Sequence, residues 1–482
     1  MKILLITPPL SREKAYGKFS SIGPCLPPLG LCYVAAQLVQ EGYEVKIVDC
    51  FAQRFSHQDL LRIIREYSPD VVGVSATTVS YVSAQLVLQL VKQCRRAILT
   101  VLGGTHVSAL PLQVLQECPD LDVAVIGEGE YTAAELMECL KGHRPWEEVR
   151  GVAFRKQGEI TFTLPRLPVL DLDALPYPAL HLLRNIKAYS HTPLKASGFT
   201  LPLITSRGCP YACSYCDQGV FGHRWRGHSP MRVVQEMKNL QLRYGARFVS
   251  FEDDNFLFSR PRVQEICELI AQKGIQVKWA CSGRIEQLAE KDIVLMRNAG
   301  CRCIYVGIES ASQRILSLLN KELDIYRITE QIRLIRKHGI RIYASFMLGL
   351  PSETREDIEK TVSLALSLPI DSATFFRYVP YPHTELRDQA FSHGKVSKDW
   401  EDYAARTDTL AYEPSSVDRE YLLQASQRAY LRFFLRPQFI MRNCCRPRFI
   451  KEGLVYLVKL IRGSVGENRL FSLQPAARKK AR

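Results

Sequence analysis

Three cysteines on one short segment form the strongest chemical signal in the sequence. The segment SRGCPYACSYCDQG places Cys209, Cys213 and Cys216 in the spacing C-x3-C-x2-C. Three thiolates on one loop can hold three irons of a 4Fe-4S cluster and leave the fourth iron open. Structural zinc is the alternative, but it needs four ligands in a closed site, and the nearby His223 and His228 are unpaired. Chance spacing in a cysteine-rich chain is a third interpretation, and we favour the cluster loop.

The remaining cysteines and the N-terminus bear on the cellular compartment. The other 12 of the 15 cysteines show no repeated ligand spacing. The N-terminal MKILLITPPL is too short for a signal peptide and has no small-residue cleavage site. No stretch reaches the roughly 18 uninterrupted apolar residues of a membrane span. These observations predict a cytoplasmic protein whose thiols are reduced and mostly buried.

The first 140 residues alternate β-rich runs with amphipathic stretches. Continuous Val, Ile and Leu strands separated by helices indicate a parallel sheet covered on both faces, which is a doubly wound, Rossmann-like α/β fold. The predicted strands cover 2–7, 44–49, 71–75, 98–102 and 123–126, and the predicted helices cover 29–41, 58–67 and 84–94. Ligands bind beyond the carboxyl ends of such strands. The candidate ligand contacts at these ends are Thr7, Pro8, Ser75, Thr77, Gly103, Gly104, Gly127, Glu128 and Gly129.

A second series of strands and helices follows a proline-containing connector. Six β/α units predict a partial (β/α)6 barrel with its chemistry at the carboxyl ends of the strands. The predicted strands cover 203–206, 248–251, 277–281, 303–308, 342–346 and 373–378, and helices are predicted at 231–244, 261–273 and 328–338. The cluster loop directly follows the first of these strands. The predicted domains are 1–142, a hairpin (151–163) and linker within 143–194, a core at 195–385, and a mainly helical basic region at 386–482.

These motifs resemble those of a known enzyme superfamily. CPYACSYC resembles the cluster loop of the radical S-adenosylmethionine superfamily, and residues 1–385 resemble its subgroup with an N-terminal cobalamin-binding domain. The resemblance implies that S-adenosylmethionine chelates the open iron through its amino and carboxylate groups. One electron then breaks the sulfonium bond and gives a 5′-deoxyadenosyl radical, with proximity supplying much of the acceleration. An electron donor such as flavodoxin or ferredoxin is implied as a partner.

The resemblance also implies individual contacts with S-adenosylmethionine at the strand ends. Tyr215 matches the aromatic position that flanks the adenine, and Gly349 and Pro351 match the backbone turn near it. Glu309 resembles the polar ribose contact, and Arg284 matches a basic position near the carboxylate or ribose. For each residue alone, a turn or helix-cap role is the competing interpretation.

An acidic segment and one loop residue complete the comparison with the superfamily. The resemblance places Glu252, Asp253 and Asp254 near the methionyl amino group, where an anionic cluster suits a cationic amine or sulfonium. Relatives tend to have Gly in a PYPGTEL-like segment, whereas this chain has His383. The change from glycine to histidine either shapes a substrate pocket or is a tolerated loop variant. We favour the second interpretation.

The first domain resembles a cobalamin-binding module through PPLGLCYVAAQLVQEGYEVKIVD, PDVVGVSATT, LGGTH and IGEGE. A nucleotide-binding Rossmann domain is the alternative, but G-x-G-x-x-G is absent. A D-x-H-x-x-G cobalamin motif is absent as well, so His106 is not assigned as an axial ligand. Cobalamin is predicted as a cofactor with no protein histidine on its lower face.

Positive charge is concentrated at the C-terminus. The formal net charge is +15, and residues 428–482 contain 14 Lys and Arg against two Glu. The segment resembles the C-terminal segments of class B radical methyltransferases and related porphyrin-ring cyclases. It suits peripheral contact with an anionic membrane surface, at the inner face of the membrane, or a helix packed on the barrel; nucleic-acid binding is less favoured.

Four functions compete. The first is cobalamin-dependent methylation of an unactivated carbon in a small or hydrophobic metabolite. The second is oxidative cyclisation or rearrangement by the same apparatus without methyl transfer. The third, a methylthiotransferase, requires a second three-cysteine cluster, and the scattered N-terminal cysteines argue against it. The fourth, a cobalamin carrier or light sensor, leaves the cysteine loop unexplained.

Overall fold

The structure is a computed structural model that describes residues 1–17, 20, 23–142, 144–189, 198–404 and 409–443. Most of the basic segment 428–482, and with it the predicted membrane contact, lies outside the described residues. Among the described residues, no helix combines the length and the apolar character that crossing a bilayer requires.

The N-terminal region is built on one seven-stranded sheet. Its strands are β1 (Lys2–Thr7), β2 (Glu44–Asp49), β3 (Val71–Ser75), β4 (Leu99–Gly103), β5 (Val123–Val125), β6 (Val152–Lys156) and β7 (Glu159–Phe162). The order is β2-β1-β3-β4-β5-β6-β7, and the pairings among the first five strands are parallel. The doubly wound prediction is confirmed.

Helices cover both faces of this sheet. They are α1 (Arg12–Tyr16), α2 (Leu29–Gln40), α3 (Cys50–Gln53), α4 (His57–Tyr67), α5 (Tyr81–Cys94), α6 (Thr105–Ala109), α7 (Pro111–Glu117) and α8 (Glu130–Lys141). Side chains alternate along a strand, so Ile3 and Leu5 pack into one core with α2 and α8. Leu4 and Ile6 pack into the other core with α4 and α5.

The predicted hairpin belongs to this sheet and not to the linker. β5 pairs antiparallel with β6, and β6 pairs antiparallel with β7. The three-residue β5 would otherwise be an exposed edge, and an unpaired edge is a template for unwanted pairing. The sheet therefore continues past residue 142, where we predicted the first domain to end.

The second region is built on six parallel strands. Its strands are β8 (Thr200–Leu203), β11 (Phe248–Phe251), β12 (Lys278–Ser282), β13 (Cys301–Glu309), β14 (Arg341–Leu348) and β15 (Ser372–Arg377), with a small antiparallel pair, β9 (Ser206–Arg207) and β10 (Arg226–Gly227), beside them. The six strands lie in sequence order, and β8 and β15 form two open edges. The helices between them are α9 (Pro230–Tyr244), α10 (Arg260–Gln272), α11 (Glu290–Asn298), α12 (Gln313–Leu318), α13 (Ile325–Lys337) and α14 (Arg355–Ser367). This is the predicted partial barrel.

The first barrel strand lies earlier than predicted. β8 covers Thr200–Leu203, whereas the apolar pattern predicted 203–206. Pro202 lies inside β8 and pairs with Ser250 of β11. β8 is an edge strand, which hydrogen-bonds to a neighbouring strand on one side only. Proline, which lacks an N–H, is therefore tolerated there.

The C-terminal region packs against both preceding regions. It contains α15 (Glu385–His393), β16 (Gly394–Val396), β17 (Tyr412–Pro414), α16 (Arg419–Phe434) and α17 (Pro437–Asn443). Its mainly helical character agrees with the prediction, although β16 and β17 add a small sheet. The Phe375 N–H donates to the Tyr430 hydroxyl, which ties α16 to β15. Trp400 packs edge-on against His106 of the first region, with ring centroids 4.8 Å apart.

Candidate active site

The three predicted cluster ligands remain accessible on one loop after β9. Cys209 and Cys213 are half-buried and Cys216 is exposed, whereas the other described cysteines are buried, except the half-buried Cys94. Gly208 begins the loop at φ +79°, and a Cβ there would lie 2.5 Å from the Arg224 carbonyl oxygen. The turn into the cluster loop therefore requires glycine.

The donor set of this loop fits an iron–sulfur cluster. Three free thiols on one loop match a cluster with one iron open to an outside ligand. His228, considered as a fourth zinc ligand, is buried, and its Nδ1 lies 2.9 Å from the Asp173 carboxylate. Burial lowers the pKa of His228 to about 4. Within the described ranges, no three His, Cys, Asp or Glu side chains converge as ligands of a single ion.

The acidic segment after β11 fixes the start of the loop. The buried Asp253 accepts hydrogen bonds from the Thr205 N–H and hydroxyl, both at 2.6 Å. Asp254 accepts from the Gly208 N–H at 3.1 Å, while Glu252 is exposed. Asp253 thus anchors the loop from the interior, and contact with a methionyl amino group stays a prediction for this segment.

A buried hydrogen-bonded set lies behind the loop. The Tyr215 hydroxyl donates to Glu309 at 3.3 Å, and Lys321 Nζ lies 3.2 Å from that hydroxyl and 3.3 Å from the same carboxylate. Glu309 ends β13 at φ +69°, and a Cβ at Gly307 would lie 2.1 Å from its Oε1. Burial and the Glu309 charge raise the pKa of Tyr215. Lys321 had no sequence signal, because only the fold brings it to Glu309.

Arg284 lies against the cluster loop. Its guanidinium Nη2 is 3.5 Å from Cys213 Sγ, and the group stacks 3.8 Å from the centroid of the Tyr211 ring. The guanidinium can therefore donate toward the sulfur atoms of the loop. The predicted contact with the carboxylate or ribose of S-adenosylmethionine stays a prediction.

The turn after β14 is held by a carboxylate that sequence reasoning missed. Glu353 is fully buried and accepts from the Gly349 N–H at 2.5 Å and the Leu350 N–H at 3.0 Å. Burial raises the pKa of Glu353 to about 8. Gly349 has φ +78°, and a Cβ there would meet Leu422 of α16 at 2.6 Å, while Pro351 is buried.

The carboxyl edge of the first sheet carries the second predicted ligand site. Thr7 Oγ1 is buried without a hydrogen-bond partner among the described residues. Gly104 has φ +106°, and a Cβ there would lie 2.5 Å from the Ala76 carbonyl oxygen. Gly127 has φ +80° and open space where a Cβ would stand. The remaining predicted residues of this edge are Pro8, which is buried, Thr77, which is exposed, and the half-buried Ser75, Gly103 and Gly129.

These features fit a large ligand such as cobalamin. Gly127 leaves open space for a flat ring, and the orphaned Thr7 hydroxyl is a polar group that such a ligand can satisfy. His106 points into the interior, where its Nδ1 lies 3.2 Å from the Thr78 hydroxyl and its ring stacks on Tyr81 at 4.1 Å. Burial lowers the pKa of His106 to about 4. This position agrees with leaving His106 unassigned as an axial ligand.

Glu128, predicted as a ligand contact of this edge, belongs to a buried ion network between the two domains, and its contact with a ligand stays a prediction. Arg207 lies 3.2 Å from Glu128 and 2.5 Å from Glu130, and Arg226 lies 2.5 Å from Glu128. All four side chains are at least 95% buried. Two arginines balance two carboxylates, which is how buried charges are tolerated. Strand-end position alone does not reveal this pairing across domains.

His383 occupies a backbone conformation that favours glycine. Its φ is +62°, and its Nδ1 lies 3.5 Å from Asp217, the residue after Cys216. The left-handed region explains in physical terms why glycine suits this position.

Comparisons with known proteins agree with this arrangement. A family model described as B12 binding domain matches residues 19–137, and one described as radical SAM superfamily matches residues 203–365. The uncharacterized methyltransferase PH0819 of Pyrococcus horikoshii is 34% identical over 446 residues, which cover 92% of this chain and 94% of that protein. The anaerobic magnesium-protoporphyrin IX monomethyl ester cyclase of Rubrivivax gelatinosus is 30% identical over 454 residues, covering 93% and 80%.

A solved structure shares the fold. The radical S-adenosylmethionine methyltransferase TsrM from Kitasatospora setae, with cobalamin and a [4Fe-4S] cluster bound, superposes with a TM-score of 0.71 at 16% identity. The match covers 91% of this chain and 89% of that one. It extends over the sheets of both regions.

Proposed function

Because this chain belongs to the radical S-adenosylmethionine superfamily, in the group with an N-terminal B12-binding domain, we propose that it methylates an unactivated carbon of a small or hydrophobic metabolite. It is an enzyme whose cofactors are a 4Fe-4S cluster, S-adenosylmethionine and cobalamin. One observation carries the proposal. Arg207, two residues before Cys209, forms ion pairs with Glu128 and Glu130 in the segment that follows β5. The carboxyl edge of the first sheet therefore lies next to the cluster loop of the barrel.

The residues around the cluster loop would divide the work as follows. Cys209, Cys213 and Cys216 would hold the cluster, which supplies the electron that cleaves the sulfonium bond of S-adenosylmethionine. Glu309 would accept hydrogen bonds from the ribose hydroxyls, and Tyr215 would flank the adenine. The burial of this set supports that assignment, since hydrogen bonds strengthen where water is excluded.

At the first sheet, the chain would bind cobalamin at the carboxyl edge of the strands. Gly127, which has open space where a Cβ would stand, would admit the ring, and the Thr7 hydroxyl would hydrogen-bond it. Methyl transfer is favoured because a methyltransferase is among the relatives that match nearly the whole chain. Oxidative cyclisation is the second candidate, and the 30% identity to the Rubrivivax gelatinosus cyclase favours it.

A labelling experiment tests methyl transfer without knowledge of the substrate. Anaerobically reconstituted protein is incubated with hydroxocobalamin, S-adenosylmethionine carrying a deuterated methyl group, and titanium(III) citrate. We expect label in the cobalamin fraction together with 5′-deoxyadenosine. Formation of 5′-deoxyadenosine with an unlabelled cobalamin fraction would favour cyclisation, and protein that takes up no hydroxocobalamin would contradict the assignment of the first domain.

The electron donor and the location of the protein complete the proposal. A flavodoxin or ferredoxin supplies the electron, and the enzyme is cytoplasmic with its basic segment 428–482 against an anionic membrane surface. The charge of that segment supports membrane contact, since each Lys or Arg near such a surface contributes about 1 kcal/mol. Cosedimentation with phosphatidylserine vesicles should weaken in the double variant Arg446→Glu, Arg448→Glu. Unchanged cosedimentation, or none in the unmodified protein, would contradict this contact.

A further inference from the structure

The buried ion network joins two loops that each border a predicted cofactor site. From its geometry we infer that Arg207 is a positioning residue that couples ligand binding at the first sheet to S-adenosylmethionine binding at the cluster loop. The inference deepens the proposed function and rests on it, because it requires both ligands to bind.

A continuous path of polar contacts connects the two loops. On the first sheet, the Ser108 hydroxyl donates to the Gly104 carbonyl and accepts from the Gly127 N–H, both at 3.0 Å. The two glycine turns predicted to contact cobalamin therefore share one hydroxyl. The next residue after Gly127 is Glu128, which contacts Arg207.

The path continues from Arg207 into the cluster loop. Arg207 is followed by Gly208, whose N–H donates to Asp254, and then by Cys209. Its guanidinium also lies 5.3 Å from the centroid of the Tyr33 ring on α2 and 5.2 Å from that of Phe221. One aromatic ring from each domain thus lies beside the guanidinium, and its position is determined from both domains.

Burial makes the two loops move together. If the β5 loop shifted away from Arg207, a buried arginine and two buried carboxylates would lose partners that water cannot replace. A ligand that orders the Gly127 turn therefore also orders the first residues of the cluster loop. By thermodynamic linkage, each ligand must then raise the affinity for the other by the same factor.

The coupling factor, which is the ratio of the dissociation constants of S-adenosylmethionine without and with hydroxocobalamin, can be measured directly. The dissociation constant of S-adenosylmethionine is determined on cluster-reconstituted protein, with and without saturating hydroxocobalamin. We expect hydroxocobalamin to tighten binding at least about fivefold, the lower end of typical coupling.

Two variants remove the coupling by different means. Arg207→Lys keeps the charge but loses the planar fork that reaches two carboxylates, and Glu130→Gln keeps the shape but loses the charge. In both, the factor should fall below about twofold, with iron and hydroxocobalamin still bound. If one variant fails to fold, the other carries the test. Asp292→Asn is the control, because it removes the charge of a buried carboxylate that pairs with the partly exposed Arg260 between α10 and α11, and it should keep the factor.

The outcomes separate this inference from the proposed function. A factor of one in unmodified protein that binds both ligands would overturn the coupling and leave the proposed function intact. An unmodified factor in both variants would overturn the role of Arg207. Failure of unmodified protein to bind S-adenosylmethionine or hydroxocobalamin would overturn the proposed function and this inference with it.

Discussion

Glu353 should make the stability of the barrel depend on pH. Its carboxyl group is fully buried and accepts two backbone N–H groups of the turn after β14. Burial, the largest influence, raises its pKa from 4.5 to about 8, although the two N–H groups act in the opposite direction. Above its ordinary pKa, the unfolded chain loses this proton while the folded chain keeps it.

The sign and size of the effect follow from linkage. Because the folded state binds more protons between pH 4.5 and 8, the free energy of unfolding falls as the pH rises through that window. The stabilisation is complete below pH 4.5 and is lost as the pH approaches 8. Between pH 6 and pH 8 the loss amounts to about 2 kcal/mol. For a domain of this size, that corresponds to about 4–8 °C in the unfolding midpoint.

The substitution Glu353→Gln isolates this group, since glutamine resembles the protonated acid. Thermal unfolding is followed by circular dichroism at pH 6 and pH 8. The midpoint of the variant minus that of the unmodified protein should increase by about 4–8 °C between the two pH values. Glu356→Gln makes the same change at a side chain that is 77% exposed, and its difference should stay constant with pH. A difference for Glu353→Gln that does not grow would show that the group is already ionised in the folded protein at pH 6.

Three further substitutions test the site. Cys213→Ala should abolish cluster absorbance and 5′-deoxyadenosine formation with circular dichroism unchanged, and retained cleavage would contradict the cluster assignment. Lys321→Met should lower the free energy of unfolding by about 3–5 kcal/mol in urea, because the buried Glu309 loses its cation. The same change should weaken S-adenosylmethionine binding. Unchanged stability would contradict a buried ion pair between Lys321 and Glu309. His383→Gly should leave the protein at least as stable, since relief of about 1–2 kcal/mol of left-handed strain exceeds the ~0.5–1 kcal/mol entropic cost of glycine. A loss above 1 kcal/mol would assign real strength to the exposed contact with Asp217.

Strands were predictable where apolar runs end sharply. The predictions 2–7, 44–49, 71–75 and 248–251 agree with β1, β2, β3 and β11. β1, β3 and β11 are buried apolar runs, and β2 is an edge strand whose exposed first half contains Lys46. β8 was predicted too late because its apolar run contains Pro202, which only an edge position tolerates. Edge position is a property of the assembled sheet and not of the local pattern.

The candidate site was predictable only where one segment carries the chemistry. The cluster loop is recognisable because all three ligands lie within eight residues. Lys321 and Glu353 were missed because their roles come from burial against distant residues. Glu128 and Asp253 were placed at strand ends correctly, but their carboxylates turn inward to partners on other elements. A strand-end position predicts proximity to a site and leaves the direction of the side chain undetermined.

Three residues with strained backbone lie at the carboxyl ends of successive barrel strands. Of the seven described non-glycine residues with positive φ, Glu309, Ser352 and His383 follow the carboxyl ends of β13, β14 and β15 in turn. Such conformations persist only where the surrounding contacts outweigh their cost, and at Glu309 those contacts are Tyr215 and Lys321. His383 contacts Asp217, with its Nδ1 3.5 Å from the carboxylate, and this contact is more exposed than those at Glu309. Because an exposed ion pair contributes at most about 1 kcal/mol, it does not exceed the left-handed strain of about 1–2 kcal/mol at this position, and the His383→Gly variant tests directly whether the side chain lowers the stability of the barrel.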